Sequence, residues 1–133
     1  MASSIIGFSH VNLIVADLAA AKRFYRGLLG LEEVPRAEGG RRDGAWYRIG
    51  AGAELHLSEE PGRAPVTTDA HFAMRVDSLA NVVDAFARAG WPTVPGRDVP
   101  GMVRCFVRDP SGNLIELQEL EAAPTVRMVI RPE

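Results

Sequence analysis

The sequence predicts an α+β fold of two tandem βαβββ modules that form a curved mixed sheet around a cavity, with helices on the outer face. Three observations predict it: the chain repeats itself, each copy carries period-two stretches around one period-3.6 stretch, and polar side chains recur at equivalent strand positions. Set "SHVNLIVADL" from Ser9 above "AHFAMRVDSL" from Ala70, and His10 falls on His71, Val15 on Val76 and Leu18 on Leu79. After one gap in the helix, Gly30 falls on Gly90 and Val34-Pro35 on Val94-Pro95. "AWYRIGAGAELHLSEE" from Ala45 then lies over "CFVRDPSGNLIELQEL" from Cys105, which pairs Arg48 with Arg108, Gly52 with Gly112 and His56 with Glu116.

The elements follow in order. Residues 6–15 alternate as a strand, and residues 18–29 have helical apolar spacing that ends at Gly30, a usual residue just past a helix. Residues 31–34, 45–49 and 54–58 read as strands, with Gly50-Ala51-Gly52 as the hairpin between the last two. In the second copy, residues 72–76, 93–94, 103–108 and 114–119 read as strands and residues 79–89 as a helix. The turn Asp109-Pro110-Ser111-Gly112-Asn113 has proline and glycine where a reversal wants a fixed or positive φ. The expected organisation is one domain over residues 1–133: module 1 at about 5–58, a linker at 59–70, module 2 at about 70–120 and a tail at 121–133, with "TVRMVI" as an extra edge strand.

Composition narrows the function classes. A chain of 133 residues, 47% hydrophobic, buries the core of one ordinary domain. No run of 18 apolar residues argues for a membrane span, and no basic segment followed by an apolar stretch opens the chain as a secretory signal would. The formal net charge of -2 gives no electrostatic footprint for nucleic acid. The single cysteine, Cys105, has helix-facing parity and reads as a small buried hydrophobe, so a reducing cytoplasm is the expected home.

Strand parity locates the chemistry. Successive side chains alternate faces, so with Val11, Leu13 and Val15 packed under a helix, His10 and Asn12 point the other way. His71 does the same opposite Phe72, Met74 and Val76, as do His56 between Leu55 and Leu57 and Glu116 between Ile115 and Leu117. All three histidines of the chain thus share the cavity face with a carboxylate. Neutral imidazoles and a carboxylate that converge make a site for one divalent ion: Zn, Ni, Mn, Fe or Co. His56 stands open between ligation and contact with a ligand or substrate. Trp46, Arg48, Arg104, Phe106 and Arg108 share this parity, with Glu54 and Arg75. Arg104 and Arg48 suit a bidentate grip on a carboxylate or phosphate, and Trp46 and Phe106 an apolar wall; Arg75 and Arg108 read as strand-end residues that meet water.

Over residues 6–120 the sequence resembles the vicinal oxygen chelate superfamily, most specifically in "FYRGLLGLE" at 24–32 and "FVRDPSGNLIEL" at 106–117. That superfamily contains glyoxalase I, methylmalonyl-CoA epimerase, fosfomycin-resistance enzymes, extradiol dioxygenases and bleomycin-resistance proteins. The resemblance implies metal ligands on the first and last strands of each module, here His10, His56, His71 and Glu116. Glyoxalase I has glutamate at the place of His56, which weighs against glutathione-hemithioacetal isomerisation. His10, His71 and Glu116 match the ligand set of the fosfomycin-resistance enzymes, but no cluster resembles their phosphonate and potassium loop.

The resemblance implies that a metal with open positions captures substrate oxygens and stabilises an enolate, alkoxide or leaving oxyanion. It also implies that Glu116 leaves the metal to act as a base. The expected activity is that of a divalent-metal-dependent, glyoxalase-like lyase or isomerase acting on a small oxygen-rich substrate, anionic ones included. Two alternatives stand beside it. One is an Fe²⁺ extradiol-type dioxygenase using His10, His71 and Glu116 as a facial triad. The other is a metal-free drug-binding protein of the bleomycin-resistance type. A homodimer is expected, and the linker permits the site to lie within one chain or to be shared, with His10 and His56 of one chain meeting His71 and Glu116 of another.

Overall fold

The computed structural model describes residues 2–37, 39–40 and 42–122. The expected edge strand in "TVRMVI" lies outside them. In chain order the elements are β1 (His10–Val15), α1 (Leu18–Lys22), a π-helical segment (Arg23–Leu28), β2 (Glu32–Val34), β3 (Gly44–Ile49), β4 (Ala53–Glu59), β5 (His71–Arg75), α2 (Leu79–Arg88), β6 (Val94–Pro95), β7 (Met102–Arg108) and β8 (Leu114–Leu120). The strands form two separate four-stranded mixed sheets, in the orders β1-β4-β3-β2 and β5-β8-β7-β6. The first strand of each module pairs in parallel with the last, and the other pairings are antiparallel. Two tandem βαβββ modules are therefore what the chain builds, and the sheets do not close into a barrel.

Each helix starts where a side chain can cap it. Asp17 accepts from the Ala20 N–H (3.1 Å) and Ser78 from the Asn81 N–H (3.2 Å), so one orphan donor at each end is satisfied. The first helix departs from expectation. After Lys22 it widens to π geometry, with the Leu29 N–H reaching the Phe24 carbonyl at 2.9 Å, and both Phe24 and Tyr25 of that segment are buried. β1 also begins later than the alternation predicted. Residues 2–9 run ahead of it with no strand partner among the described residues, because alternation sets which face a side chain takes but supplies no neighbour to pair with.

One core serves both modules. Tyr47, Leu55 and Leu57 of the first sheet and Cys105, Val107, Ile115 and Leu117 of the second are buried with Phe24, Tyr25 and Phe86. Phe24 packs edge-on against Phe86 (5.8 Å between ring centroids) and lies 5.4 Å from Trp91, so the modules meet through their helix sides. A polar clamp holds the same junction. Asp109, 3% exposed, accepts from the Tyr25 O–H (2.7 Å), the Ser111 and Asn113 N–H groups (2.9 Å each) and Asn113 Nδ2 (2.9 Å). Asn113 Nδ2 also donates to the Ile14 carbonyl at 3.1 Å, and the Ala16 N–H donates to Ser111 Oγ at 2.9 Å. The helix sides of both sheets face this shared core, so the opposite faces, which carry the candidate site residues, turn away from it.

Candidate functional site

The structure sorts the candidate residues into two half-sites. On the first sheet, β4 presents His56 opposite Trp46 of β3 and Asn12 of β1. The His56 ring lies flat on Trp46 (3.9 Å, 2° between planes) and its other side stacks on His10 (4.1 Å, 16°). His56 is buried; its Nε2 donates to Glu54 Oε1 at 2.9 Å, which leaves Nδ1 the lone pair. His10 is exposed and meets Ser9 Oγ through Nδ1 at 3.0 Å. Arg48 stands at the exposed end of β3, 3.7 Å from Glu32.

On the second sheet, Glu116 is buried at 4% exposure, facing Phe106 of β7 and Ala73 of β5 in register. Its Oε1 takes a charged hydrogen bond from Arg104 Nη1 (2.5 Å) and its Oε2 one from Gln118 Nε2 (2.6 Å). Burial pushes the Glu116 carboxyl up, but the hydrogen bonds from Gln118 and Arg104, with the charges of Arg104 and His71, outweigh it and hold it below the usual carboxylate value. Arg104 lies 5.5 Å from the centre of the Phe106 ring, and its Nε reaches the Arg97 carbonyl at 3.3 Å. His71 meets the Phe106 ring edge-on at 5.4 Å. The His71 Nδ1 donates to the Asp69 carbonyl at 2.9 Å; a carbonyl only accepts, so when the ring is neutral Nδ1 carries the proton and Nε2 the lone pair.

Within one chain these donors do not assemble around a single ion. Among the described residues, no group of three or more His, Cys, Asp or Glu side chains is placed to hold a metal. The stacked His10 and His56 rings explain part of this: their lone pairs lie in nearly parallel planes about one ring thickness apart and do not point at a common centre. The rest follows from the shared core, which puts His10 and His56 on one outward face and His71 and Glu116 on the other.

Sequence reasoning missed several partners. Gln118 sits two residues from Glu116 on the same face, and Glu54, placed on the cavity face by parity, was not foreseen as the partner of His56. The Asp69 carbonyl that sets the His71 tautomer is backbone, and no side-chain pattern announces it. Arg108, read as a residue that meets water, instead ties the loops: Nη1 donates to the carbonyls of Gly112 (2.8 Å) and Thr68 (3.1 Å).

A family model of the Glyoxalase/Bleomycin resistance protein/Dioxygenase superfamily matches residues 7–117. The chain belongs to that superfamily. Among solved structures, this superfamily member is similar to a glyoxalase family protein from Bacillus anthracis, with 29% identity, a TM-score of 0.80, and coverage of 91% of this chain and 100% of that one. It is also similar to a lactoylglutathione lyase from Agrobacterium tumefaciens, at 26% identity and TM-score 0.65, covering 90% of this chain and 95% of that one. An antibiotic binding protein from Streptomyces sp. CB03234 shares the fold at TM-score 0.72 and 20% identity, covering 90% of this chain and 100% of that one. No curated protein matches the sequence. The superfamily thus spans enzymes and binding proteins on one scaffold, and the site must decide between them.

Proposed function

We propose that the protein is a divalent-metal-dependent enzyme of the glyoxalase type, a lyase or isomerase acting on a small oxygen-rich substrate, and that its site is completed by two copies of the chain. His10 of one copy would hold the ion with His71 and Glu116 of the other, and His56 lies beside His10 to ligate or to touch substrate. The observation that carries this reading is the state of the second half-site. His71 has its tautomer set by the Asp69 carbonyl so that Nε2 is free, next to a Glu116 kept ionised; a backbone carbonyl on the far nitrogen is the usual support of a ligating histidine. In the first half-site, Ser9 Oγ meets the Nδ1 side of His10, so a ligand would be taken on the Nε2 side of that ring.

A bound ion would supply Lewis-acid stabilisation of an oxyanion on the substrate. The chain's own residues do the rest. Glu116 is the carboxylate that would take a proton from the substrate, and Gln118 holds its Oε2 in place. Arg104 grips an anionic substrate group, exchanging Glu116 for it, while Trp46 and Phe106 supply apolar walls. The protein purified under mild conditions is expected to carry a divalent metal measurable by mass spectrometry, and His71→Ala to lose it. A protein that binds none of Ni²⁺, Mn²⁺, Zn²⁺ or Fe²⁺ overturns the reading.

A second reading has its own observation. With Glu116 saturated by Arg104 and Gln118 and His56 sandwiched between Trp46 and His10, every buried polar group of the two half-sites already has a partner, as a metal-free binding protein would require. That reading expects a drug-like aromatic ligand to bind with an affinity unaffected by chelators.

A further inference from the structure

We infer that residues 2–9 form an arm that docks on a second copy of this chain, in the apolar hollow beside that copy's His71. This rests on the reading that places His10 of one copy against His71 of the other. The arm holds three large apolar side chains with nothing against them: Ile5 is 97% exposed, Ile6 99% and Phe8 80%. Only its last residue is tied, the Ser9 carbonyl accepting from the Glu54 N–H at 3.1 Å. A concentration of bare apolar surface in so short a segment marks an interaction site rather than the scattered exposure of an ordinary surface.

The complementary surface is a hollow of about 880 Å³ at one end of the second sheet. Trp91, Pro92, Val94, Phe106 and Leu114 line it, with His71 at its edge. Val94 is itself 61% exposed there. Chain continuity joins arm to hollow: the arm runs directly into His10, the hollow borders His71, and bringing these two histidines together delivers the arm to the hollow's mouth. Five extended residues reach about 17 Å, enough for Ile6 and Phe8, which share one face of an extended segment, both to enter a hollow of this size. The strand edges agree. β1 and β5 are each an edge strand, so among the described residues each leaves an unpaired backbone edge beside the proposed contact. A twofold pair satisfies both copies at once, since each arm meets the other's hollow.

The test compares the full chain with a chain lacking residues 2–8 and with an Ile5→Asp/Ile6→Asp/Phe8→Asp variant by analytical ultracentrifugation. Losing apolar anchors from both symmetric contacts is expected to weaken self-association by at least about tenfold in each variant. The thermal midpoint at dilutions where the wild type is dissociated should stay unchanged, because Ile5, Ile6 and Phe8 are exposed and the tied residue, Ser9, is kept in both variants. In a Cys105→Ala background, a Phe8→Cys chain mixed with a Val94→Cys chain is expected to give an oxidised species of twice the chain mass that neither forms alone. Wild-type self-association in both arm variants overturns the inference, even where a metal shared between copies leaves the site reading standing. Loss of association without metal sharing upholds the arm and sinks the site reading. A third readout uses the dye 8-anilinonaphthalene-1-sulfonate: binding that is equal in wild type and truncated chain, at concentrations where the wild type is paired, means the hollow takes small molecules instead of the arm and overturns the docking.

Discussion

Tyr25→Phe removes a single oxygen from the junction between the modules, and the structure sets what that costs. The Tyr25 hydroxyl donates to Asp109 Oδ2 at 2.7 Å inside a region where tyrosine is fully buried and Asp109 is 3% exposed. A hydrogen bond to a charged acceptor contributes about 1.5–3 kcal/mol, so a loss of about 2 kcal/mol is expected, with a thermal midpoint roughly 6–8 °C lower for a chain of this size. Asp109→Ala goes further. It strands the Tyr25 O–H, the Ser111 and Asn113 N–H groups and one Asn113 Nδ2 hydrogen, for about 4 kcal/mol in all. The two changes must not add: in the Asp109→Ala background, Tyr25→Phe should cost little, since its partner is gone. Urea denaturation of the four members of this cycle measures the coupling. A Tyr25→Phe chain within about 0.5 kcal/mol of wild type, or strict additivity, refutes the claim that this pair fastens one module to the other.

Other predictions follow from particular groups. Both tyrosines of the chain are buried and hard to ionise, Tyr25 through burial and the Asp109 carboxylate, Tyr47 through burial and Glu33, which push it up to about 12. Raised folded values stabilise the native state fully below the unfolded tyrosine pKa of about 10, and that contribution drains away as pH rises through the folded values. Absorbance at 295 nm should therefore stay flat past pH ~10 and rise only with unfolding; a free-tyrosine titration in the folded protein contradicts the burial. Gly112, at φ 88°, has the Val66 carbonyl oxygen where a Cβ would sit, so Gly112→Ala should destabilise by about 2 kcal/mol or more in urea denaturation, with the linker released from Ser111. For Glu116 the sign is the reverse of the tyrosines: its depressed pKa adds stability above the unfolded carboxylate value, and that stability disappears as pH falls through the folded one. Glu116→Gln should consequently flatten the acid limb of the stability profile, and an unchanged limb would deny the Arg104 and Gln118 bonds their role.

Much of this was legible in the letters, for a physical reason that also sets the limit. A period of two assigns each side chain to a face, so His10, His56, His71 and Glu116 could be put opposite Leu13, Leu55, Phe72 and Ile115 without coordinates, and the latter four are in or against the apolar core. Parity is local, however, and which faces look at each other is not. The two polar faces part because Phe24, Phe86 and Trp91 interlock on the helix sides, contacts between residues dozens of positions apart that no repeat encodes. The Asp109-Pro110-Ser111-Gly112-Asn113 stretch was readable as a turn, while the reach of its carboxylate to Tyr25 was not. Ile6 and Phe8 alternate like strand residues and yet lie bare, because alternation without a neighbouring strand has nothing to pair with. The π-helical segment has the same apolar spacing as an α-helix over one turn, so pattern alone does not separate them.

The central claim is that one ion site draws His10 from one copy and His71 with Glu116 from another. Metal content of an equimolar mixture of His10→Ala and Glu116→Ala chains, refolded together, tests it most directly. Each variant alone should bind no metal, whereas half of the pairs in the mixture are mixed and each rebuilds one intact site, restoring roughly one quarter of the wild-type content. A mixture as empty as its components, prepared beside a wild type that does bind, contradicts the shared site.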